Sequence, residues 1–286
     1  MLGSEEQAFE KRLALRMAVI DTAREMNRRG INVNKSGNVS ARTSGGRSFF
    51  ITPTGIPYES LEPDDIVEVS LDAERFEGRC LPSSEWEMHA EIYRRRPDAG
   101  AVVHTHSCYA TALACQNLPI PAFHYMVATA GGRSIDVAPY ATFGTRELAV
   151  RGANALEAKN ACLLEHHGVL ALGANLAKAL TLAAEVENLA HQYVVVRSLG
   201  TPRLISDDEM DRIVEKFKPT VIRSRNKVKK PIQPPAAWLR IDGQLFCTES
   251  VKVLEKTGRS RGASEVMKMP YFWVWVKMNS NALCTR

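Results

Sequence analysis

Residues 161–173 read ACLLEHHGVLALG, in which two apolar runs flank a polar centre at Glu165, His166 and His167. Short apolar runs of about four to eight residues around a turn are typical of buried strands. Residues 100–106 read GAVVHTH and form another such run. We therefore expect three buried strands in this part of the chain, with histidines at or near their ends.

Helical patterns lie between the predicted strands, so the chain alternates the two kinds of element. Shorter strands are expected in VSAR and SFFIT, near residues 39–52. Alternation of this kind is typical of an α/β or mixed α+β (α+β-like) fold class. The expected helices cover residues 5–29, a run that ends before Pro97, residues 175–197 and a last one that ends near Lys218. The second of these carries the apolar-periodic residues Trp86, His89, Ile92 and Tyr93, and a serine of Ser83-Ser84 is expected to cap it. Asn175 opens the third, and the Ser206/Glu209 capping box starts the last.

The charge of the chain is concentrated at its C-terminal end. Residues 223–286 hold 13 of the 37 Lys and Arg but only 4 of the 32 Asp and Glu, so residues 1–222 are slightly acidic. The main part of the chain therefore has no basic field of the kind that binds nucleic acid. The acidic, polar start MLGSEEQAFEK is unlike a signal peptide, and no apolar run reaches the roughly 20 residues of a membrane span. We expect a cytoplasmic protein with no membrane partner, whose six cysteines stay reduced.

Three histidines form the strongest chemical pattern. His104 and His106 are alternate residues of a predicted strand, so both imidazoles point to the same side. An isolated His-x-His is more often two unrelated strand histidines than a metal site. His167, at the end of the strand LLEHHGV beside Gly168, adds a third candidate ligand. Catalytic zinc sites keep three protein ligands and one exchangeable position, so the three together favour zinc.

A carboxylate and several small turns complete the set of candidate site residues. Glu85 lies at the predicted start of a helix, where it is either a simple dipole partner or a ligand and proton acceptor near the metal. Glycine amides and hydroxyls on turns, and a helix N-terminus, favour phosphate. Three turns carry such groups, Ser36-Gly37-Asn38, Thr54-Gly55 and Ser83-Ser84; each alone is a common turn, and together they suggest a site that we call the phosphate cup.

The ordered series SGNVSAR, ITPTGIPYESL, PSSEWEMH, AVVHTHS, HYMVATAGG, APYATFGTREL and LLEHHGVLALG resembles the zinc-dependent class II aldolase and adducin-head superfamily. The particular likeness is to its fuculose-phosphate aldolases, and it runs from about Gln7 to Lys218. The resemblance implies a class II aldolase fold, with a central, mainly antiparallel sheet flanked by helices. It also implies a homotetramer whose active sites lie between adjacent subunits.

The resemblance further implies a reaction and the residues that carry it. The expected enzyme is a lyase of carbohydrate metabolism that reversibly cleaves a ketose 1-phosphate to dihydroxyacetone phosphate and a short aldehyde. By this likeness His104, His106 and His167 hold Zn2+, while Glu85 completes the coordination and then serves as base. Within the phosphate cup, the residues that bind the substrate phosphate are Gly37, Asn38, Thr54, Gly55, Ser83 and Ser84. Tyr125 protonates the aldehyde oxygen. Without the resemblance, Tyr125 would be taken for a buried loop aromatic.

The chain departs from the aldolase pattern in two places. Lys35 stands where the pattern has threonine, and Thr220 stands where it has a tyrosine that reaches a neighbouring active site. From about Ile222 the likeness ends. We therefore predict two domains, a class II aldolase domain over residues 1–221 and a basic C-terminal extension over residues 222–286. The YFWVWV run in the extension is too short to span a membrane and suits a strand, an oligomer contact or an aggregation-prone segment.

Two alternatives to the aldolase remain open at this level. One is a pentulose-phosphate 4-epimerase or thiosugar-phosphate dehydratase of the same superfamily. The other is a noncatalytic, adducin-like interaction module, which has this fold without a complete metal site. The sequences SSEW around Glu85 and HYM around Tyr125 favour the aldolase over the first, and the intact set of Glu85 and three histidines argues against the second.

Overall fold

A computed structural model of the chain describes residues 3–72 and 75–217, together with four strand segments further on. The chain divides into two compact units, Met1–Val221 and Ile222–Arg286. Each unit is described by itself below. None of the described helices is long and apolar enough to cross a membrane.

The first unit is built on an eight-stranded sheet with strand order β4-β3-β2-β1-β5-β8-β7-β6. Every neighbouring pair is antiparallel except β6 and β7, which are parallel. The central, mainly antiparallel sheet expected above is therefore present. The strands are β1 (Asn38–Arg42), β2 (Ser48–Ile51), β3 (Val67–Ser70), β4 (Phe76–Glu77), β5 (Ala101–Thr105), β6 (Val137–Ala138), β7 (Ala161–Leu164) and β8 (Gly168–Gly173).

The described part of the first unit has six helices, and 3-10 turns lie in the loops between strands. The helices are α1 (Ser4–Arg28), α2 (Trp86–Arg95), α3 (Cys108–Cys115), α4 (Arg146–Ala155), α5 (Leu176–Leu199) and α6 (Asp207–Phe217). The 3-10 turns are Tyr58–Ser60, Pro63–Asp65 and Tyr125–Ala130. Two helices begin at the capping residues that the sequence predicts. Asn175 accepts a hydrogen bond from the amide of Lys178 at the start of α5, and Ser206 accepts one from the amide of Glu209 in α6.

The two faces of the sheet bury different apolar clusters. Val102 of β5 packs with α2 and α4, whereas Ala101 and Val103 pack with α1 and α5. Period-two alternation along β5 explains this division, because successive side chains point to opposite faces. His104 follows Val102 in that alternation, so its ring lies on the face covered by α2 and α4. The sheet thus fixes which helices can contribute to the site.

Helix α2 begins differently from the expectation. The expectation that a serine caps it is wrong: Glu85 is the residue before the helix, and no side chain caps it. The hydroxyl of Ser83 instead accepts a hydrogen bond from the amide of Glu85, at 3.3 Å. The helix ends at Arg95, because Arg96 precedes Pro97 and the residue before a proline is disfavoured in the helical region.

The second unit contains two antiparallel strand pairs. One joins β9 (Trp238–Ile241) to β10 (Gln244–Cys247), and the other joins β11 (Val266–Met269) to β12 (Phe272–Trp275). Part of the YFWVWV run thus forms a strand. The basic run from Arg223 to Lys230 and the replaced tyrosine position, Thr220, lie outside the described residues. The predicted domain boundary at residue 221 stays a prediction.

Cysteines of the described first unit carry free thiols. They are Cys80, Cys108, Cys115 and Cys162. Among these, burial raises the pKa of Cys162, so that thiol is an inert part of the core.

Candidate metal and substrate site

The end of β5 brings two histidine rings together. His104 is the fourth residue of the strand and His106 follows its end, so both side chains lie on one face. Their Nε2 atoms are 2.9 Å apart, and their ring centroids 4.9 Å apart. The side-by-side placement expected from alternate spacing is what the structure has.

The turn between β7 and β8 adds a third histidine to this pair. His167 lies with its ring centroid 4.8 Å from that of His104 and 5.0 Å from that of His106. The preceding His166 has a positive φ of 55° and an exposed side chain, so the turn directs the two histidines apart. Histidine is among the residues that occupy this backbone region more readily than most.

Gly168 permits the close approach of this turn to β5. A Cβ atom there would collide with the carbonyl oxygen of Thr105 and would lie 3.0 Å from Cδ2 of His106. Glycine is the residue that lets backbone segments approach so closely. The His-His-Gly sequence therefore places one histidine in the cluster and packs its turn against the other two.

Glu85 is the fourth member of the cluster and contacts two of its histidines. It is only 4% exposed, with Oε2 at 3.2 Å from Nε2 of His104 and Oε1 at 3.1 Å from Nε2 of His167. Burial alone would raise the pKa of Glu85, but the two histidines hold that pKa well below its usual range. Burial and the neighbouring His104 lower the pKa of His106 to about 3. The cluster thus pairs an ionised carboxylate with at least one neutral imidazole.

These four residues fit a divalent metal ion in their donor atoms and their geometry. The ligand atoms of Glu85, His104, His106 and His167 all lie within 4.8 Å of one another. In a tetrahedron with zinc–nitrogen bonds of about 2.0–2.1 Å, neighbouring ligand atoms are about 3.3 Å apart. The separations of 2.9, 3.2 and 3.1 Å are close to that value. Oε1 of Glu85 is buried without an aligned hydrogen-bond donor among the described residues, as suits an oxygen that binds a cation.

A second set of buried side chains forms a hydrogen-bonded series that starts at Glu85. We call Asn38, His89, Ser40 and Tyr93 the support chain. The Asn38 amide donates to Oε2 of Glu85 at 2.8 Å, and its oxygen contacts Nε2 of His89. Nδ1 of His89 lies 2.6 Å from Oγ of Ser40, which lies 2.8 Å from the hydroxyl of Tyr93. Sequence reasoning placed His89 on the buried face of its helix but assigned it no role, although its position four residues after Glu85 put both on the same side.

The three turns of the phosphate cup lie side by side. The amide of Thr54 donates to the carbonyl oxygen of Leu81 at 3.1 Å, and that of Ser83 to Thr52 at 3.0 Å. The Thr54-Gly55 turn therefore lies against the Ser83-Ser84 turn. Lys35 joins the first turn to these two, because its Nζ donates to the carbonyl oxygen of Gly55 at 2.6 Å.

Members of the phosphate cup differ in how exposed they are and in whether their side chains already have hydrogen-bond partners. Thr54, Gly55 and Ser84 are exposed, whereas Ser83 and Gly37 are buried. The carboxamide of Asn38 is bonded to Glu85 and His89. A phosphate contact from Asn38 would therefore have to come from its main chain.

Tyr125 is a surface residue of the first unit. It begins the 3-10 turn Tyr125–Ala130, is 50% exposed, and packs its ring against His124 with centroids 4.8 Å apart. It is therefore not the buried loop aromatic that the sequence alone would favour. It is not one of the residues that converge in the cluster of Glu85 and the three histidines.

The first unit of the chain is similar to a known protein family. The family described as Class II Aldolase and Adducin N-terminal domain matches residues 17–194. An L-fuculose phosphate aldolase of Escherichia coli O6:H1 is 51% identical over 209 residues, which are 73% of this chain and 96% of that protein. A 5-methylthioribulose-1-phosphate/5-deoxyribulose-1-phosphate aldolase of Rhodospirillum rubrum is 48% identical over 207 residues, 72% of this chain and 92% of that protein.

Solved structures show the same fold. An L-fuculose 1-phosphate aldolase superimposes with a TM-score of 0.69 and 38% identity, over 76% of this chain and 98% of the other. The L-fuculose-1-phosphate aldolase of Thermus thermophilus gives a TM-score of 0.57 at 31% identity, over 66% and 98% of the two chains.

Proposed function

The chain belongs to the class II aldolase and adducin N-terminal domain family and is an aldolase, and we propose that it cleaves a ketose 1-phosphate at a zinc centre. Class II aldolases depend on a metal ion, and the Glu/His cluster is the group in the described part of this chain that fits one. The observation that carries the proposal is the convergence of Glu85, His104, His106 and His167 on one point.

Zinc is the metal that the donor set suits best. Three imidazole nitrogens and one carboxylate oxygen match its ligand preferences, and Nδ1 of His104 is occupied by the carbonyl oxygen of Val169, which leaves Nε2 for a metal. When bound, the ion would supply Lewis-acid stabilisation for negative charge developing on the substrate's carbonyl and adjacent hydroxyl oxygens.

Glu85 is the proposed proton carrier at carbon. Cleavage breaks a carbon–carbon bond, the hydroxyl on the aldehyde half loses a proton, and the carbon of the dihydroxyacetone phosphate half gains one. In the reverse direction a base must remove that carbon-bound proton. Glu85 is ionised, buried and beside the proposed metal position, so it is placed to take that proton from carbon. In the cleavage direction the same carboxyl, then protonated, returns the proton to carbon.

The phosphate cup is the proposed anchor for the nonreacting end of the substrate. Exposed Thr54 and Ser84 offer hydroxyls, and exposed Gly55 an amide, next to the N-terminus of α2, where the helix dipole favours an anion. Lys35 lies against the same turns and would add a positive charge. Binding the phosphate at these turns would hold the reacting carbons in a fixed orientation near Glu85.

Tyr125 is the proposed acid–base group for the aldehyde oxygen. It donates a proton to that oxygen in the condensation direction, and in cleavage the same group takes the proton from the substrate hydroxyl. Its half-exposed ring, outside the cluster of its own chain, suits a site completed by a neighbouring subunit. We therefore propose a homotetramer with active sites between adjacent subunits. A cytoplasmic location, where sugar phosphates are retained, belongs to the same proposal.

Two kinds of ketose 1-phosphate are the leading substrates. Relatives near 50% identity include enzymes named for L-fuculose phosphate and for 5-methylthioribulose or 5-deoxyribulose 1-phosphate. All of these sugars share the phosphate and carbonyl end that the cup and cluster would hold. They differ in the aldehyde half, which is also the half that the family tyrosine replaced by Thr220 would approach.

The test is a cleavage assay on metal-replete protein with a panel of substrates. We expect release of dihydroxyacetone phosphate from fuculose 1-phosphate, ribulose 1-phosphate or 5-deoxyribulose 1-phosphate, and the ranking of kcat/KM names the preferred aldehyde half. Stoichiometric metal without release from any of them would overturn the proposed reaction and leave the epimerase or dehydratase alternative.

A further inference from the structure

The support chain behind Glu85 is continuous and almost wholly buried. Asn38 is 2% exposed, and both Ser40 and His89 are 0% exposed. Tyr93, at the far end, is 1% exposed and packs beneath the guanidinium of Arg42, 4.7 Å from its ring centroid. The four polar side chains thus form one buried hydrogen-bonded series, which runs from the Glu85 carboxylate to Tyr93 near the end of α2.

Hydrogen-bond chemistry fixes the direction of every bond in this chain. An ionised carboxylate only accepts, so the Asn38 group that faces Glu85 is the NH2 and the group that faces His89 is the oxygen. His89 must then carry its proton on Nε2, so Nδ1 accepts from the hydroxyl of Ser40. The Ser40 oxygen in turn accepts from the hydroxyl of Tyr93. All four donors point toward Glu85.

We propose that His89 is a positioning residue for the reaction, which locks the Asn38 carboxamide in the one orientation that holds Glu85 as an aligned proton acceptor. The inference rests on the proposed role of Glu85. His89 contacts no ligand atom itself, and it acts on the carboxylate through Asn38. With His89 replaced by an apolar residue, the Asn38 amide is free to rotate and place its oxygen against Oε2 of Glu85, where the two acceptors repel.

The chain orients the carboxylate rather than conducting protons. A proton passing from His89 to Glu85 would have to cross the carboxamide of Asn38, which has no ionisable group at ordinary pH. Burial, with a further contribution from His104, lowers the pKa of His89 to about 3, in agreement with a neutral ring. The expected consequence of losing His89 is therefore a misaligned Glu85 and slower proton transfer at carbon, with substrate binding little changed.

Exchange of the carbon-bound proton of dihydroxyacetone phosphate with deuterated solvent isolates this step. It needs no aldehyde and no Tyr125, and it is followed by proton NMR on the metal-replete full chain. His89→Leu is the disruptive variant. His89→Gln is the conservative one, because a Gln amide can donate to Asn38 and accept from Ser40. Bound metal is measured for each variant, together with kcat and KM for cleavage.

We expect His89→Leu to lower both the exchange rate and kcat by about 10–100-fold, the range for residues that orient metal ligands. KM and metal stoichiometry should stay near the wild-type values, and His89→Gln should recover most of the loss. Equal exchange rates in wild type and His89→Leu would overturn the inference while leaving the proposed function intact. Loss in His89→Gln as severe as in His89→Leu would also overturn it. Absence of exchange in the wild type would instead count against the proposed function.

Discussion

Nδ1 of His104 lies 2.8 Å from the carbonyl oxygen of Val169, on the strand next to its own. The main-chain oxygen can only accept, so Nδ1 carries a proton, and in the neutral ring Nε2 is the nitrogen whose lone pair a metal would use. The pairing of β5 with β8 therefore does two things at once. It builds the centre of the sheet, and it sets the tautomer that a metal ligand needs.

The two histidines of the β7–β8 turn should respond differently to substitution. His167→Ala removes a ligand atom from the cluster, whereas His166→Ala changes an exposed side chain in the same turn. We expect His167→Ala to weaken metal binding by more than the roughly 10–100-fold lost when a residue that only orients a ligand is replaced. Metal analysis after dialysis against a chelator series measures this. Similar metal retention in both variants would exclude His167 as a ligand.

Gly168→Ala should damage the site without touching a ligand. The added Cβ would collide with the carbonyl oxygen of Thr105, so β8 and the end of β5 must separate. Overpacking of this kind costs about 1–3 kcal/mol, and here it also spreads the histidines. Urea unfolding and metal titration measure the two effects. Gly45→Ala is the matched control, because its Cβ would meet nothing within 4 Å.

Glu85→Gln should leave the fold in place and remove most of the cleavage activity. The carboxamide is close in size to the carboxylate but cannot carry a proton to or from carbon, so we expect kcat to fall by about 10²–10⁴-fold. Glu87→Gln, two residues further along α2, is the control and should cleave at the wild-type rate. Near-normal cleavage by Glu85→Gln with bound metal would show that another group moves the proton.

His89 should make folding stability depend on pH. Its pKa in the folded chain is about 3, below the ordinary 6.5. Between these two pH values, the unfolded chain therefore binds a proton at His89 that the folded chain does not bind. Stability from this group is present above about pH 6.5 and is lost as the pH falls toward 3, by at most about 1.4 kcal/mol per pH unit.

The matched comparison is urea unfolding of metal-free wild type and His89→Gln between about pH 7 and pH 4, which lies within the window set by the two pKa values. Glutamine does not titrate, so the free energy of unfolding of the variant should fall less steeply over this range. Other titrating groups, including the cluster histidines, contribute equally to both proteins. Parallel curves would mean that His89 is not held neutral in the fold.

The fold class and the family could be predicted from the sequence, because the signals for them lie within short segments or in the order of motifs along the chain. Apolar runs marked β5, β7 and β8, and the family resemblance supplied the antiparallel sheet, which the structure confirms. The resemblance itself is confirmed by the family match and by the relatives near 50% identity. Alternate spacing brought His104 and His106 to one side, since strand geometry alone requires it.

The remaining features depend on contacts between distant parts of the chain. Asn38 and Glu85 are 47 residues apart, and only the packing of α2 on β1 joins them. A pattern of small polar residues therefore predicted a cup but could not show that the Asn38 side chain already has partners. The same limit explains the wrong serine cap on α2. The phosphate contacts, the role of Tyr125 and the boundary at residue 221 stay predictions.

Metal-dependent release of dihydroxyacetone phosphate tests the account most directly. Protein freed of metal by chelation is given fuculose 1-phosphate or 5-deoxyribulose 1-phosphate while zinc is added in steps. Activity should be absent at the start, rise with added zinc and level off at one equivalent per chain. His104→Ala should show no such rise. Full cleavage by the metal-free protein would contradict the account, and so would a wild-type response from His104→Ala.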